Sequence, residues 1–168
     1  LLDTQVVDGC ETRAGVFSAD AIDKGSALLA QALPADLGGA VGDLGAGWGY
    51  LSCEILKRDT VNSCPLVEAS FAALDCARKN VQDPRAVFHW ADARDFNGVS
   101  NLHHVVTNPP FHTGRNADPG LGRAFIQTAA RILSPKGTLW LVANRHLPYE
   151  STVADAFIEV EEIAGDPS

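Results

Sequence analysis

From residue 40 onward, short apolar runs alternate with segments of helical periodicity, and this strict alternation is the strongest constraint on what the chain can fold into. The spacing predicts strands over residues 40–44, 65–68, 86–90, 102–107 and 138–143, and helices over 50–57, 71–81 and 121–133. The last helix carries Ala124, Phe125, Ala129, Ile132 and Leu133 on one face. Pro135-Lys136-Gly137 reads as the turn out of it. Strand, helix, strand in strict succession implies an α/β fold: a doubly wound, mostly parallel, Rossmann-like sheet with helices on both faces. A helix over 147–157 and a sixth strand over 158–164 would complete it. Ahead of the α/β core (40–168), residues 18–39 read as a leading helix over 19–33 with Ser18 as N-cap and Ile22, Leu29 and Leu33 on one face. Residues 1–17 read as an extended arm or hairpin. At 168 residues and 46% hydrophobic content, one domain spanning 1–168 is expected, with no repeat or long linker.

Chemistry concentrates at two handovers. Asp43-Leu44-Gly45-Ala46-Gly47-Trp48-Gly49 sits where the first core strand passes into the first core helix, so Gly45, Gly47 and Gly49 let the backbone approach a cofactor. A dinucleotide fingerprint would require Gly or Ala where Tyr50 stands, which disfavours a pyrophosphate. Asp43 would repel a phosphate and attract a cationic amino group or sulfonium. Glu68 ends the second strand, where a carboxylate accepts both hydroxyls of a ribose; Asp92, followed by Ala93, lies at the end of the third and would accept an adenine amine. A cationic amino acid, a ribose and an adenine together describe S-adenosylmethionine.

The second handover is Asn108-Pro109-Pro110-Phe111 at the end of the fourth strand. Two consecutive prolines remove backbone donors, leaving the Asn108 amide oxygen, the Pro109 carbonyl and an aromatic face. Such a pocket accepts hydrogen bonds from a planar amine. Asn108, Pro109 and Phe111 are therefore the candidate catalytic residues, with Asn108 also beside the cofactor; Phe111, His112 and Arg145 are the candidate substrate contacts.

Composition narrows the classes. A net charge of −8 argues against gripping nucleic acid by bulk electrostatics, although Arg115, Arg123, Arg131, Lys136 and Arg145 all fall in the half that holds Asn108. Cys10, Cys53, Cys64 and Cys76 form no C-x-x-C pair, and His89, His103 and His104 lack ligand spacing, so neither a metal nor a disulfide framework is expected. No apolar run is long enough to span a membrane and the start does not read as an export signal, so a soluble, non-exported chain is expected, and the scattered, reduced cysteines favour the cytoplasm. The absence of methionine, even at residue 1, suggests a fragment or the ordered part of something longer.

The D-x-G-x-G-x-G turn, the second acidic strand end and N-P-P-F, in this order, resemble the class I S-adenosylmethionine-dependent methyltransferases. Gly15-Val16-Phe17-Ser18, Asp23-Lys24-Gly25-Ser26, Asn108 to His112 and Ala143-Asn144-Arg145-His146-Leu147-Pro148-Tyr149 are similar to the catalytic domain of the bacterial ribosomal RNA guanine-N2 methyltransferases, the small-subunit methyltransferase C family and its large-subunit relative. The resemblance covers nearly the whole chain and implies methyl transfer from S-adenosylmethionine to an exocyclic base amine, N2 of guanine in ribosomal RNA, on a flipped or unpaired nucleotide. It also implies an additional N-terminal domain and a closing antiparallel hairpin, whereas this sequence stops at Asp166-Pro167-Ser168. N-P-P-[FY] equally serves DNA adenine-N6 and protein glutamine methyltransferases; His112-Thr113-Gly114 and 143–149 tip the reading toward guanine. A non-catalytic binding module and a nicotinamide-dependent oxidoreductase are the alternatives from other classes.

Overall fold

The computed structural model describes residues 3–113 and 116–165. Arg115, Gly114 and the terminal Asp166-Pro167-Ser168 therefore lie outside the described residues. The chain begins with an antiparallel hairpin, β1 (Thr4–Val7) and β2 (Cys10–Arg13), closed by Asp8 and Gly9, both in left-handed conformation as a two-residue hairpin turn demands. There follow α1 (Lys24–Ala32), β3 (Gly39–Leu44), α2 (Tyr50–Leu56), β4 (Val61–Glu68), α3 (Phe71–Asn80), β5 (Ala86–Trp90) and β6 (Leu102–Thr107). A two-residue-per-strand hairpin, β7 (His112–Thr113) and β8 (Asn116–Ala117), leads into α4 (Pro119–Ile132), β9 (Leu133–Leu141) and α5 (Glu150–Ala156).

Five strands form one parallel sheet in the order β5-β4-β3-β6-β9. The central strands read as near-continuous apolar runs because helices cover both faces: Val41, Leu44, Leu66, Val105 and Val106 are completely shielded from solvent. α4 buries Phe125, Ile126, Ala129 and Ile132 as a stripe, and Asp118 caps its first turn by accepting from the Gly120 N–H. The chain runs outward from β3 through β4 to β5, then crosses back to β6 and β9. The winding direction thus reverses between β3 and β6, and ligands of open α/β sheets bind in the crevice at the carboxyl ends of such a pair. Leu44 and Thr107 are paired there, and the Thr107 hydroxyl donates to the Leu44 carbonyl at 2.8 Å.

Four expectations need correction. The leading helix starts at Lys24 rather than residue 19: Ser18 has φ 53°, and the cap is Asp23, whose carboxylate accepts from the Ser26 N–H at 2.8 Å. Pro135-Lys136-Gly137 is not a turn, because β9 begins at Leu133 directly after α4 and those residues fall in the register irregularity between the Leu102–Leu133 and His104–Thr138 pairs. The helix expected over 147–157 is the shorter α5. Residues 158–164 form no strand. Ile158 is 99% exposed, and apolar alternation without a neighbouring ladder does not make a strand.

The β1–β2 hairpin is tied to α3 by side chains. Arg13 pairs with Asp75, Lys79 pairs with Glu11, and Asn80 both donates to the Glu11 carbonyl and accepts from its N–H. Asn80 also donates to the Trp48 carbonyl at 2.8 Å, so one amide joins the hairpin to the glycine turn.

Candidate active site

The glycine turn and Asn108 emerge side by side at the carboxyl ends of β3 and β6. Gly45, Gly47 and Gly49 have φ of 72°, 57° and 97°, conformations that L side chains rarely adopt. Their reasons differ. A Cβ on Gly45 would stand 2.9 Å from the Phe125 ring and one on Gly49 2.7 Å from a Val81 methyl, so these two serve packing of α4 and α3. A Cβ on Gly47 would meet nothing within 4 Å, which makes Gly47 the glycine that faces open space. The loop is anchored from below by the Gly45 and Ala46 N–H groups donating to the Val67 carbonyl.

The expected acids divide. Glu68, at the end of β4, accepts from the Gly47 N–H with one oxygen and from the Ser70 N–H with the other, both at 2.8 Å, which fixes the carboxylate beside the loop. Asp43 is wholly buried; the Ser52 hydroxyl donates to its Oδ2 at 2.7 Å, and Oδ1 has no partner. Burial pushes its carboxyl up to about 7, against the Ser52 hydrogen bond and with a further push from Glu68. An orphaned oxygen in a buried acid, with a second acid close by, could favour a cationic group nearby. Asp92, two residues past β5, is gripped by the Arg94 guanidinium, whose hydrogen bonds hold the carboxyl below its ordinary value; Ala93 beside it is buried.

At the other strand end, both hydrogens of the Asn108 amide are engaged. Nδ2 donates to Asp23 Oδ2 at 2.8 Å and to the Ser26 hydroxyl at 3.0 Å. The oxygen Oδ1 is therefore the face of the amide left for an external donor. Pro109 is buried, Phe111 half-buried, and the Phe111 ring lies 4.2 Å from that of His112, which is exposed. The Asp118 N–H donates to the Phe111 carbonyl at 2.8 Å, joining the two residues that flank the β7–β8 hairpin. A shared cavity is lined by Phe17, Ser18, Ser26, Gly47, Trp48 and Asn108.

Phe17, Ser18, Asp23 and Ser26 join the site without being among the candidate residues that the motifs single out, although the stretches holding them carry part of the resemblance. The available signal was an acid three residues before a serine at a helix start, a cap pattern that Ser18 obscured. Arg145 is not brought into the cavity; it pairs with Glu162 at 2.7 Å, both side chains being about two-thirds exposed. Arg131 donates to the Phe96 carbonyl and the Thr128 hydroxyl, and like Arg123 and Lys136 it is exposed. Among the described residues no cluster of three His, Cys, Asp or Glu could hold a metal, and no helix is long and apolar enough to cross a membrane.

The profile of the family described as "Methyltransferase small domain" matches residues 9–167. Among curated proteins, the chain is 36% identical to a ribosomal RNA small subunit methyltransferase C of Psychromonas ingrahamii, over 88% of this chain and 42% of that protein. It is 32% identical to a ribosomal RNA large subunit methyltransferase G of Alcanivorax borkumensis, over 91% and 40% respectively. Among solved structures it is similar to a T. thermophilus 16S rRNA N2 methyltransferase in complex with AdoMet and guanosine, with a TM-score of 0.71 and 28% identity, covering 94% of this chain and 45% of that one. The chain thus spans about two-fifths of the length of the curated relatives it matches.

Proposed function

This chain belongs to the methyltransferase small domain family, and we propose that it transfers a methyl group from S-adenosylmethionine to an exocyclic amine of a nucleobase, N2 of guanine in ribosomal RNA. The observation that carries the reading is the amide of Asn108, whose two hydrogens are spent on Asp23 and Ser26 so that its oxygen is left for the substrate, next to the open space at Gly47. When bound, S-adenosylmethionine supplies an electrophilic methyl on a sulfonium. Asp43 would favour its cationic amino acid end, Glu68 would accept its ribose hydroxyls with the lone pairs that the Gly47 and Ser70 amides leave free, and the backbone at Gly47 admits it at close range. Asp92 would meet an adenine amine while still paired with Arg94, or Ala93 would line that edge alone.

An exocyclic base amine is a poor nucleophile because its lone pair is delocalised into the ring. Accepting its hydrogens at Asn108 Oδ1 and the Pro109 carbonyl favours a pyramidal nitrogen and stabilises the positive charge that develops on it. No strong base is required. Phe111 would stack on the base and hold it in line; orienting two bound reactants is worth roughly 7–11 kcal/mol, more than any single hydrogen bond here. The names of the related proteins, both ribosomal RNA methyltransferases, and the guanosine in the similar structure support the choice of guanine in ribosomal RNA over adenine in DNA or a protein glutamine. His112 would contact the RNA strand, and Arg145 would do so only by leaving Glu162. Under this reading residues 1–168 act as one catalytic domain working in the cytoplasm, where ribosomal RNA is found.

Incubating the protein and S-adenosylmethionine with unmodified ribosomal RNA, DNA and a release factor, followed by nucleoside and peptide mass spectrometry, tests the reading. N2-methylguanine from RNA is expected. N6-methyladenine or methylglutamine would transfer the same site to the other substrate, and no methylation of any would leave a binding module.

A further inference from the structure

We infer that Asp23 and Ser26, in the first turn of α1, are positioning residues for Asn108, and that the Asp23 carboxylate acts through the Asn108 amide on the amine to be methylated; the inference rests on the proposed function. Asp23 does two tasks with one oxygen. Its Oδ2 caps α1 by accepting the Ser26 N–H at 2.8 Å and accepts Asn108 Nδ2 at 2.8 Å. The Ser26 hydroxyl takes the second Nδ2 hydrogen at 3.0 Å. A primary amide can flip end for end at little steric cost, so nothing in the shape of Asn108 decides whether oxygen or nitrogen faces the cavity. The partners decide it: a carboxylate accepts only, and turning the Asn108 oxygen toward it would set two acceptors face to face.

The contact depends on close approach of α1 to the end of β6. A Cβ on Gly25 would stand 3.0 Å from Asp23 Oδ2, close enough that the carboxylate would have to shift by a few tenths of an ångström, and in ordinary contact with a Val142 methyl at 3.5 Å and Asn108 Nδ2 at 3.6 Å, so the helix start is packed tightly against the Asn108 amide. The electrostatic consequence follows the chain of hydrogen bonds. A charged acceptor on Nδ2 draws amide electron density toward Oδ1, which strengthens the bond Oδ1 accepts from the substrate amine as positive charge grows there. The carboxylate thus sits two hydrogen bonds from the reacting nitrogen without touching it.

Asp23→Asn preserves the helix cap, since Asn caps as well as Asp, and its single carbonyl oxygen can still accept from both the Ser26 N–H and Asn108 Nδ2, so what it removes is the charge on that acceptor. With ribosomal RNA as substrate, kcat is expected to fall roughly 10- to 100-fold while the S-adenosylmethionine Kd stays within about threefold. Ser26→Ala should lower kcat by several fold and Ser26→Thr, which keeps the hydroxyl, should restore most of it. The decisive arm is the double-mutant cycle: in an Asn108→Ala background, Asp23→Asn should cost no further turnover. A penalty that persists in that background, or a raised cofactor Kd with unchanged kcat, would overturn the inference, the latter by making Asp23 a cofactor ligand. If Asn108→Ala itself leaves turnover intact, the functional reading fails instead. The positioning claim is then still decided without substrate by NMR: the Asn108 side-chain NH2 should exchange slowly in the wild-type protein and at least tenfold faster in Asp23→Ala, which removes the acceptor, and equal exchange rates would sink it.

Discussion

At the scale of single residues, the proposed function separates side chains that would meet the reacting atoms from those that would set charge. Asn108 belongs to the first kind: Asn108→Ala removes one preorganised acceptor and should lower turnover by roughly 10²–10³, with S-adenosylmethionine affinity changed by no more than a few fold in calorimetry. Asp43 belongs to the second. Its carboxyl titrates at about 7 in the folded chain because it is buried, well above the ordinary carboxylate value of 3.8. Between those two values the folded chain holds a proton that the unfolded chain has released, so the group lowers stability as pH rises through the window and costs nothing below it. Ligand-free Asp43→Asn should therefore melt close to wild type at pH 4 and several degrees higher at pH 8; a gap that does not widen with pH would show that the buried charge is not what Asp43 costs. A cationic ligand reverses the preference by favouring the ionised form. S-adenosylmethionine affinity of the wild-type protein should fall as pH drops below about 7, while Asp43→Asn binds more weakly with a flatter profile.

At the scale of elements, three glycines in one turn perform separable tasks. Gly49 caps α2 in left-handed conformation with Val81 and Ala77 against it, so Gly49→Ala combines backbone strain with overpacking and should cost about 2–5 kcal/mol in chemical denaturation. Gly47 shares the conformation but faces open space, so Gly47→Ala should cost only roughly 1–2 kcal/mol and fold, yet weaken S-adenosylmethionine binding about tenfold or more. The reverse ranking would place the ligand elsewhere. This turn was legible in the sequence because its signal is local: glycine spacing between an apolar run and a helix, with Glu68 and Asn108 each closing a strand of its own. What was not legible is non-local. Asp23 meets Asn108 across 85 residues, and no spacing announces that contact; Ser18, a better-looking cap, in fact lies in a left-handed turn. The β7–β8 hairpin was hidden by its two-residue strands, and the parallel pairing of β9 from Leu133 ran through a proline and a glycine that normally read as a stop.

At the scale of the whole molecule, the proposed cofactor and RNA halves of the site differ in how they are built. The sheet, the glycine turn and the acids that fit the cofactor all lie within one continuous framework, stapled at the front by Asn80 between the β1–β2 hairpin and the Trp48 carbonyl. The side on which the proposed RNA substrate would lie offers exposed Phe17 and His112 and half-buried Phe111, but among the described residues no dense cationic surface: of the basic residues in the half that holds Asn108, Arg131 donates to the Phe96 carbonyl and Arg145 pairs with Glu162. With a net charge of −8, phosphate contacts release few counterions, and the salt dependence of binding counts them. The 168-residue chain should therefore bind S-adenosylmethionine normally while holding single-stranded ribosomal RNA weakly, with a slope of log K against log salt smaller in magnitude than about 2 by fluorescence anisotropy. Base stacking on Phe111 and amine recognition at Asn108 would then carry what affinity there is, so Phe111→Ala should weaken binding without changing the slope. A slope near 6 or steeper would mean that a cationic track crosses this domain and that the net charge misrepresents the face turned toward RNA.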